Sequence, residues 1–139
     1  MKEIVIYETK YWEVKLSPDQ AYLGRCTVKI KRDVSTLSEL RKEEWLDFAD
    51  IVIKMENALK KTFNATMFNW TCLMNNAYLQ KSYKPIVHWH FRPRYTKKVK
   101  FLGNTFEDKE FGKHYDRKRK EIVSSELLSK IAEEIKKNI

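Results

Sequence analysis

Val87-His88-Trp89-His90-Phe91-Arg92-Pro93 is the stretch whose reading decides the rest of the chain. Its residues alternate in kind. In an extended strand successive side chains point to opposite faces, so Val87, Trp89 and Phe91 share one face and His88, His90 and Arg92 share the other. The apolar trio suits a core, and the polar trio converges on an open face. An imidazole is partly unprotonated near neutral pH and can attack phosphorus, while a guanidinium beside it can neutralise phosphoryl oxygens. Two blander readings remain open: plain exposed strand histidines, or two metal ligands presented at i and i+2. Against a metal, His114 is far away in sequence, no cysteine or carboxylate cluster has ligand spacing, and Arg92 at the next same-face position opposes a cation. No metal or cofactor is therefore expected.

Outward from that strand, expected over Ile86–Arg92, Pro93 cannot donate to a ladder, so the chain should leave the sheet there or continue at its edge. Upstream, Ile4–Tyr7 and Trp12–Leu16 read as short strands ended by the turn Ser17-Pro18-Asp19-Gln20. Cys26, Val28 and Ile30 form the apolar face of a third strand. Between Glu43 and Phe63 the period changes to that of a helix, with Trp45, Phe48, Ala49, Val52, Met55 and Leu59 as its stripe and Glu43 and Glu44 at its positive end. Thr66–Met74 is strand-like, and Asn75-Asn76 stops it. A polar, aromatic connection follows Pro93. A last helix near 124–137 starts at Ser124 or Ser125 and carries Leu127, Leu128, Ile131 and Ile135 on one face. This order predicts an α+β fold: an antiparallel sheet of about five strands, a long helix packed on it, and a C-terminal helix.

The length of 139 residues and hydrophobic share of 42% fit one domain with one core, here 1–139. The net charge of +9 draws anionic ligands such as nucleotides, nucleic acids or membrane phosphates. Much of it lies in Lys60-Lys61, Lys97 to Lys100 and Arg117-Lys118-Arg119-Lys120, which also suit solvated loops and helix ends. No apolar run is long enough to span a bilayer, and Met1–Lys10 lacks the pattern of a secretory signal, so no membrane partner and a cytoplasmic location are expected. Cys26 and Cys72 read as free thiols. Trp70, Trp89 and Phe91 read as core, and Tyr22 or Trp12 as the lining of an apolar base slot.

Several of these segments together resemble the histidine-triad superfamily over roughly Trp12 to Tyr95. Its signature, His-φ-His-φ-His-φ-φ on a strand, is matched by His88 and His90, with Arg92 at the third position. Leu73-Met74-Asn75-Asn76-Ala77 resembles its asparagine-ended strand. The segment Leu23-Gly24-Arg25 through Val34 is similar to its Pro-Gly-His strand and following turn. Tyr83-Lys84-Pro85-Ile86-Val87 stands where the family often carries a glycine-rich anion loop. The resemblance implies a nucleotide hydrolase or nucleotidyl transferase acting on a nucleoside phosphate or dinucleoside polyphosphate. His90 would be the nucleophile, oriented by His88, with Arg92 on phosphate oxygens. Asn75, Asn76 and Lys84 would contact phosphate, and Ser17 and Gln20 the ribose. It also implies a homodimer through the long helix. The alternative is a nucleotide- or RNA-binding protein of the same fold that has lost turnover.

Overall fold

The computed structural model describes residues 2–139. In chain order its elements are strands β1 (Ile4–Glu8), β2 (Trp12–Leu16) and β3 (Cys26–Ile30), helix α1 (Lys42–Phe63), strands β4 (Met67–Thr71), β5 (His88–Arg94), β6 (Val99–Phe101) and β7 (Asn104–Phe106), and helix α2 (Ser125–Lys136). The first five strands form one antiparallel sheet in the order β1-β2-β3-β5-β4, and β6 and β7 form a separate hairpin. The architecture is the expected α+β one.

Alternation builds the core face rung by rung. Trp12 lies opposite Ile30, Val14 opposite Val28 and Leu16 opposite Cys26, while Val28 also meets Trp89, and Phe91 meets both Cys26 and Trp70. Helix α1 covers this face through Phe48, whose ring lies 5.2 Å from Trp12, 5.6 Å from Trp70 and 4.9 Å from Trp89, stacked on the last. Such aromatic pairs add about 0.5–1.5 kcal/mol each beyond burial. Trp12 is fully buried and donates its indole N–H to Glu44 O, so it is core and not the lining of a base slot. The buried stripe of α1 runs Phe48, Ile51, Met55, Ala58, Leu59, Phe63. Phe48, Met55 and Leu59 point inward as expected, while Ile51 and Ala58 take the inner places expected of Trp45, which is 38% exposed, and Ala49, which is exposed. Glu44 anchors the first turn: its carboxylate accepts from Arg41 N, Arg32 Nε and Arg32 Nη2, each at 2.8 Å. Ser124 caps α2 by accepting from Leu127 N, an interaction worth about 1 kcal/mol. α2 packs on β1 and α1. No helix among the described residues is long and apolar enough to cross a membrane.

Element bounds shift by a residue or two at several places, β5 starting at His88 and not Ile86, and three places need a physical account. The strand expected over Thr66–Met74 ends at Thr71, since Met74 takes a left-handed φ of 59° and Asn75–Leu79 coil into a 3-10 turn. The strand expected over Ile86–Arg92 takes the second of the two courses expected at Pro93 and continues to Arg94. Pro93 lies beyond the last β3 partner, where only β4 remains alongside, so the proline sits at a local edge. The polar connection contains the β6–β7 hairpin, turned by Leu102 and Gly103 at φ 49° and 79°; left-handed values at both central residues are what a tight two-residue hairpin needs. Gly24 is required for another reason. A Cβ there would come within 2.4 Å of Leu59 Cδ1 and 3.2 Å of Pro93 Cγ, and its φ of +89° already disfavours a side chain.

Candidate active site

The face of the sheet away from α1 carries the polar trio. Thr27, His90 and Thr71 make one rung across β3, β5 and β4, with Lys29 opposite His88 and Asn69 opposite Arg92 on the neighbouring rungs. The segment 107–121 returns from the hairpin across this face, and between them lies a cavity of about 330 Å³. Its walls include His88, His90, Arg92, Thr71, Asn75, Asn76, Asp19, Tyr22 and Arg25 from the sheet side and Tyr115, Asp116, Arg117, Arg119 and Lys120 from the returning segment. Five of these are arginine or lysine and two are carboxylates, so the cavity is cationic.

Each member of the trio is held differently. His88 Nδ1 lies 2.8 Å from Ile86 O; a carbonyl can only accept, so Nδ1 carries the hydrogen and Nε2 is bare in the neutral ring. The His88 and His90 rings meet edge to face at 5.1 Å. His90 Nδ1 is buried with no partner, which leaves Nε2 as the nitrogen free to meet a ligand. Burial, then the neighbouring His88, Arg92, Arg25 and Arg117 charges, push the His90 imidazole down to about 4, so it is neutral at physiological pH. Arg92 is only 8% exposed, and its guanidinium lies 4.0 Å above the Tyr115 ring. It has no ion pair among the described residues. Burial and the nearby Arg25 pull its pKa below the ordinary value, without discharging it at neutral pH.

Four buried side-chain polar atoms lack a partner among the described residues, and three of them, Arg25 Nε, Thr71 Oγ1 and His90 Nδ1, belong to residues of this cavity. An unpaired buried polar atom costs about 1–3 kcal/mol, so their concentration marks the cavity as the least self-satisfied part of the molecule.

Of the other expected site residues, Asn75 and Asn76 do line the cavity. Lys84 is exposed on the loop before β5 and is not part of its wall. Gln20 is a correction: it is fully buried, its amide donating to Ser17 O and Arg25 O and accepting from Gly24 N, so it braces the turn between β2 and β3 and presents no exposed atom to a ribose. Ser17 lies in an adjoining shallow depression, its hydroxyl accepting from Asp19 N. Tyr22 is on the wall. Sequence reasoning missed Arg25, Tyr115, Arg117 and Lys120. Arg25 alone had a signal, its place after Gly24 in the family-like segment; the run at Arg117–Lys120 reads as solvated charge until the chain's return is known. No group of three or more His, Cys, Asp or Glu side chains placed to hold a metal occurs among the described residues. Cys26 is buried and Cys72 half-buried, both as free thiols.

Comparison with known proteins gives the fold. No family model matches the chain, and no curated protein matches it in sequence. Solved structures do. A histidine triad (HIT) protein from Sinorhizobium meliloti 1021 superposes with a TM-score of 0.74 at 17% identity, covering 99% of this chain and 90% of that one. A hypothetical histidine triad nucleotide-binding protein from Sulfolobus tokodaii strain7 gives 0.73 at 16% identity, covering 99% and 84%. A Hit-like protein from Bartonella henselae, described as involved in cell-cycle regulation, gives 0.70 at 19% identity, covering 100% and 88%. The chain is similar to these along essentially its whole length and has the histidine-triad-like fold; identities this low carry the fold and nothing of activity.

Proposed function

We propose that this chain, built on the histidine-triad-like fold, is a nucleotide hydrolase or nucleotidyl transferase that works through a covalent nucleotidyl-His90 intermediate. The observation that carries this reading is the juxtaposition of a neutral, half-buried imidazole with an unpaired, nearly buried guanidinium in one cationic cavity. His90 Nε2 supplies its lone pair to the α-phosphorus of a nucleoside phosphate or dinucleoside polyphosphate. Arg92, held 4.0 Å over the Tyr115 ring and nearly buried, meets phosphoryl oxygens in a desolvated setting, which strengthens each charge-assisted contact. His88, fixed by Ile86 O, holds its ring against His90 and limits its rotation. Asn75 and Asn76 offer amides to the same phosphate. No cofactor is required for this chemistry.

A second reading, a nucleotide- or RNA-binding protein without turnover, is favoured by one observation: His90 Nδ1 has no partner to fix its tautomer. One experiment separates the two. The protein is incubated with a radiolabelled dinucleoside polyphosphate and assayed for product and for acid-labile, covalently bound nucleotide. Turnover is expected, with His90→Ala losing at least about a thousandfold, the scale on which a covalent nucleophile acts, while nucleotide affinity changes little. Wild-type rates in His90→Ala would refute the nucleophile, and binding without product or label would favour the second reading.

A further inference from the structure

The returning segment does more than roof the cavity. It contributes cations whose ionic commitments differ. Arg119 is occupied, pairing with Glu110 at 3.2 Å and donating to Glu107 O at 2.8 Å. Arg25 is held by Asp19 at 2.8 Å, and Asp19 is itself spent on Ala21 N and Glu121 N. Arg117 and Lys120 also line the cavity, and neither has an ion pair among the described residues. The opposing carboxylate on that wall is Asp116, whose Oδ1 accepts from Lys118 N. Lys120 and Arg25 also line the shallow depression beside Ser17, so cationic wall continues past the cavity mouth. Arg92 and the Arg117–Lys120 pair are thus two sets of uncommitted cations, one on the sheet beside His90 and one on the returning segment, lining one cavity.

We infer that Arg117 and Lys120 form a subsite for an anionic leaving group, so that the substrate's α-phosphorus is followed by an oligophosphate chain and not by an amine. This deepens the proposed function and rests on its placement of the α-phosphate at His90 and Arg92. The position two residues beyond His90 holds an arginine, which has no proton to give at neutral pH. A leaving amine must gain a proton as its bond to phosphorus breaks. An oligophosphate need not, because it departs as a stable anion that cations can hold. In the step, His90 Nε2 forms the bond to phosphorus, the bond from phosphorus to the bridging oxygen breaks, and its electron pair leaves on that oxygen at the Arg117–Lys120 subsite. Water then forms the new P–O bond, the P–N pair returns to Nε2, and one water proton goes to solvent. The products are a nucleoside monophosphate and the shortened phosphate chain.

The full chain is titrated calorimetrically with AMP, ATP and inorganic tripolyphosphate at about 0.1 M ionic strength, where long-range charge is screened beyond about 10 Å. Wild type should bind ATP more tightly than AMP and should bind tripolyphosphate alone. In Arg117→Ala/Lys120→Ala the ratio of ATP to AMP affinity should fall by about five- to tenfold, within the range that two ion pairs made by exposed side chains supply. Lys97→Ala/Lys100→Ala removes the same charge outside this cavity and should leave the ratio unchanged. Equal affinities for AMP and ATP in wild type, or an equal fall in the control, would overturn the subsite. Turnover gives the second arm: a nucleoside oligophosphate should be cleaved much faster than a nucleoside phosphoramidate, and equal rates on both would overturn the inference while leaving the His90 reading intact. If AMP fails to bind but tripolyphosphate binds and loses affinity in the double variant, the subsite stands and the nucleotide reading falls. If neither binds, both fall.

Discussion

The C-terminal half of β5 carries the same side chain twice, in opposite circumstances. Arg92 and Arg94 lie on the same face of the strand, two residues apart, and both are nearly buried, at 8% and 1% exposure. Arg94 is fully answered. Its guanidinium pairs with both oxygens of Asp108 at 2.7 and 3.1 Å and donates to Asn69 Oδ1 and Lys113 O at 2.9 Å. Arg92 is answered by an aromatic ring alone. A buried cation with a complete set of acceptors belongs to the fold, here tying the returning segment to the sheet. One without a counter-ion is poised for an anion from outside.

The largest effect that tests this contrast is on stability. Arg94→Met leaves the Asp108 carboxylate, 1% exposed, without its cation, and removing one partner of a buried pair costs about 3–5 kcal/mol. Arg92→Met removes a desolvated charge that had no counter-ion, so stability should stay within about 1 kcal/mol or rise slightly. Urea unfolding of the two variants measures the difference, and equal losses would erase the distinction between the two arginines. Arg94→Met/Asp108→Leu should recover most of the loss, since no charge is then stranded.

A smaller effect concerns chemistry at the Arg92 end. Arg92→His puts a titratable group where a permanent cation stood. General acid assistance contributes about a hundredfold or more when its geometry is good, but the imidazole is shorter and gives up the stacking on Tyr115. An increase of about tenfold on substrates with poor leaving groups is the expected outcome, with a loss on oligophosphate substrates. Steady-state rates on a phosphoramidate and an oligophosphate check it, and a uniform fall on both would mean that proton donation does not limit the parent.

The histidine strand was legible because its alternation is strict and its apolar half is aromatic. The same rule that placed Trp89 against Phe48 and Phe91 against Trp70 placed His88, His90 and Arg92 together on the far face. Arg94, one more step along that face, was hidden by Pro93, which reads as a strand end when the length of β3 is unknown. The roof of the site was not legible. Tyr115, Arg117 and Lys120 are brought to His90 by Arg94–Asp108, by Tyr22 with Asp116 N and by Arg119–Glu110, contacts spanning up to 94 residues of chain. No local pattern encodes such a return. Gln20 shows the converse: its neighbourhood to the site was real, but its amide was already claimed by the turn it closes.

The smallest effect tests by pH the desolvation that His90 shares with Arg92. His90 titrates at about 4 in the folded chain, against the ordinary histidine value of 6.5. Above pH 6.5 neither state holds the proton. Between 6.5 and 4 the unfolded chain takes up a proton that the folded chain refuses, so stability falls as the pH falls through that window. Glu44, held at about 2 by Arg32, acts lower down: its contribution is complete above the ordinary 4.5 and is lost as the pH drops from there toward 2. The two windows scarcely overlap, so unfolding at pH 7 and pH 5 isolates the histidine. Wild type should lose more stability between those values than His90→Asn, which keeps a polar side chain of similar reach without a titrating ring. Solvent reaching the half-exposed imidazole trims the difference, which makes it the smallest of these effects. The same ionisation governs rate with the opposite practical sense. Because His90 stays neutral down to about pH 4, the acid limb of kcat/KM, which reports the free enzyme, should lie near 4. A limb near 6.5, together with identical pH dependence of stability in His90→Asn, would mean that the imidazole is solvated like any surface histidine and that Arg92 does not share its desolvated site.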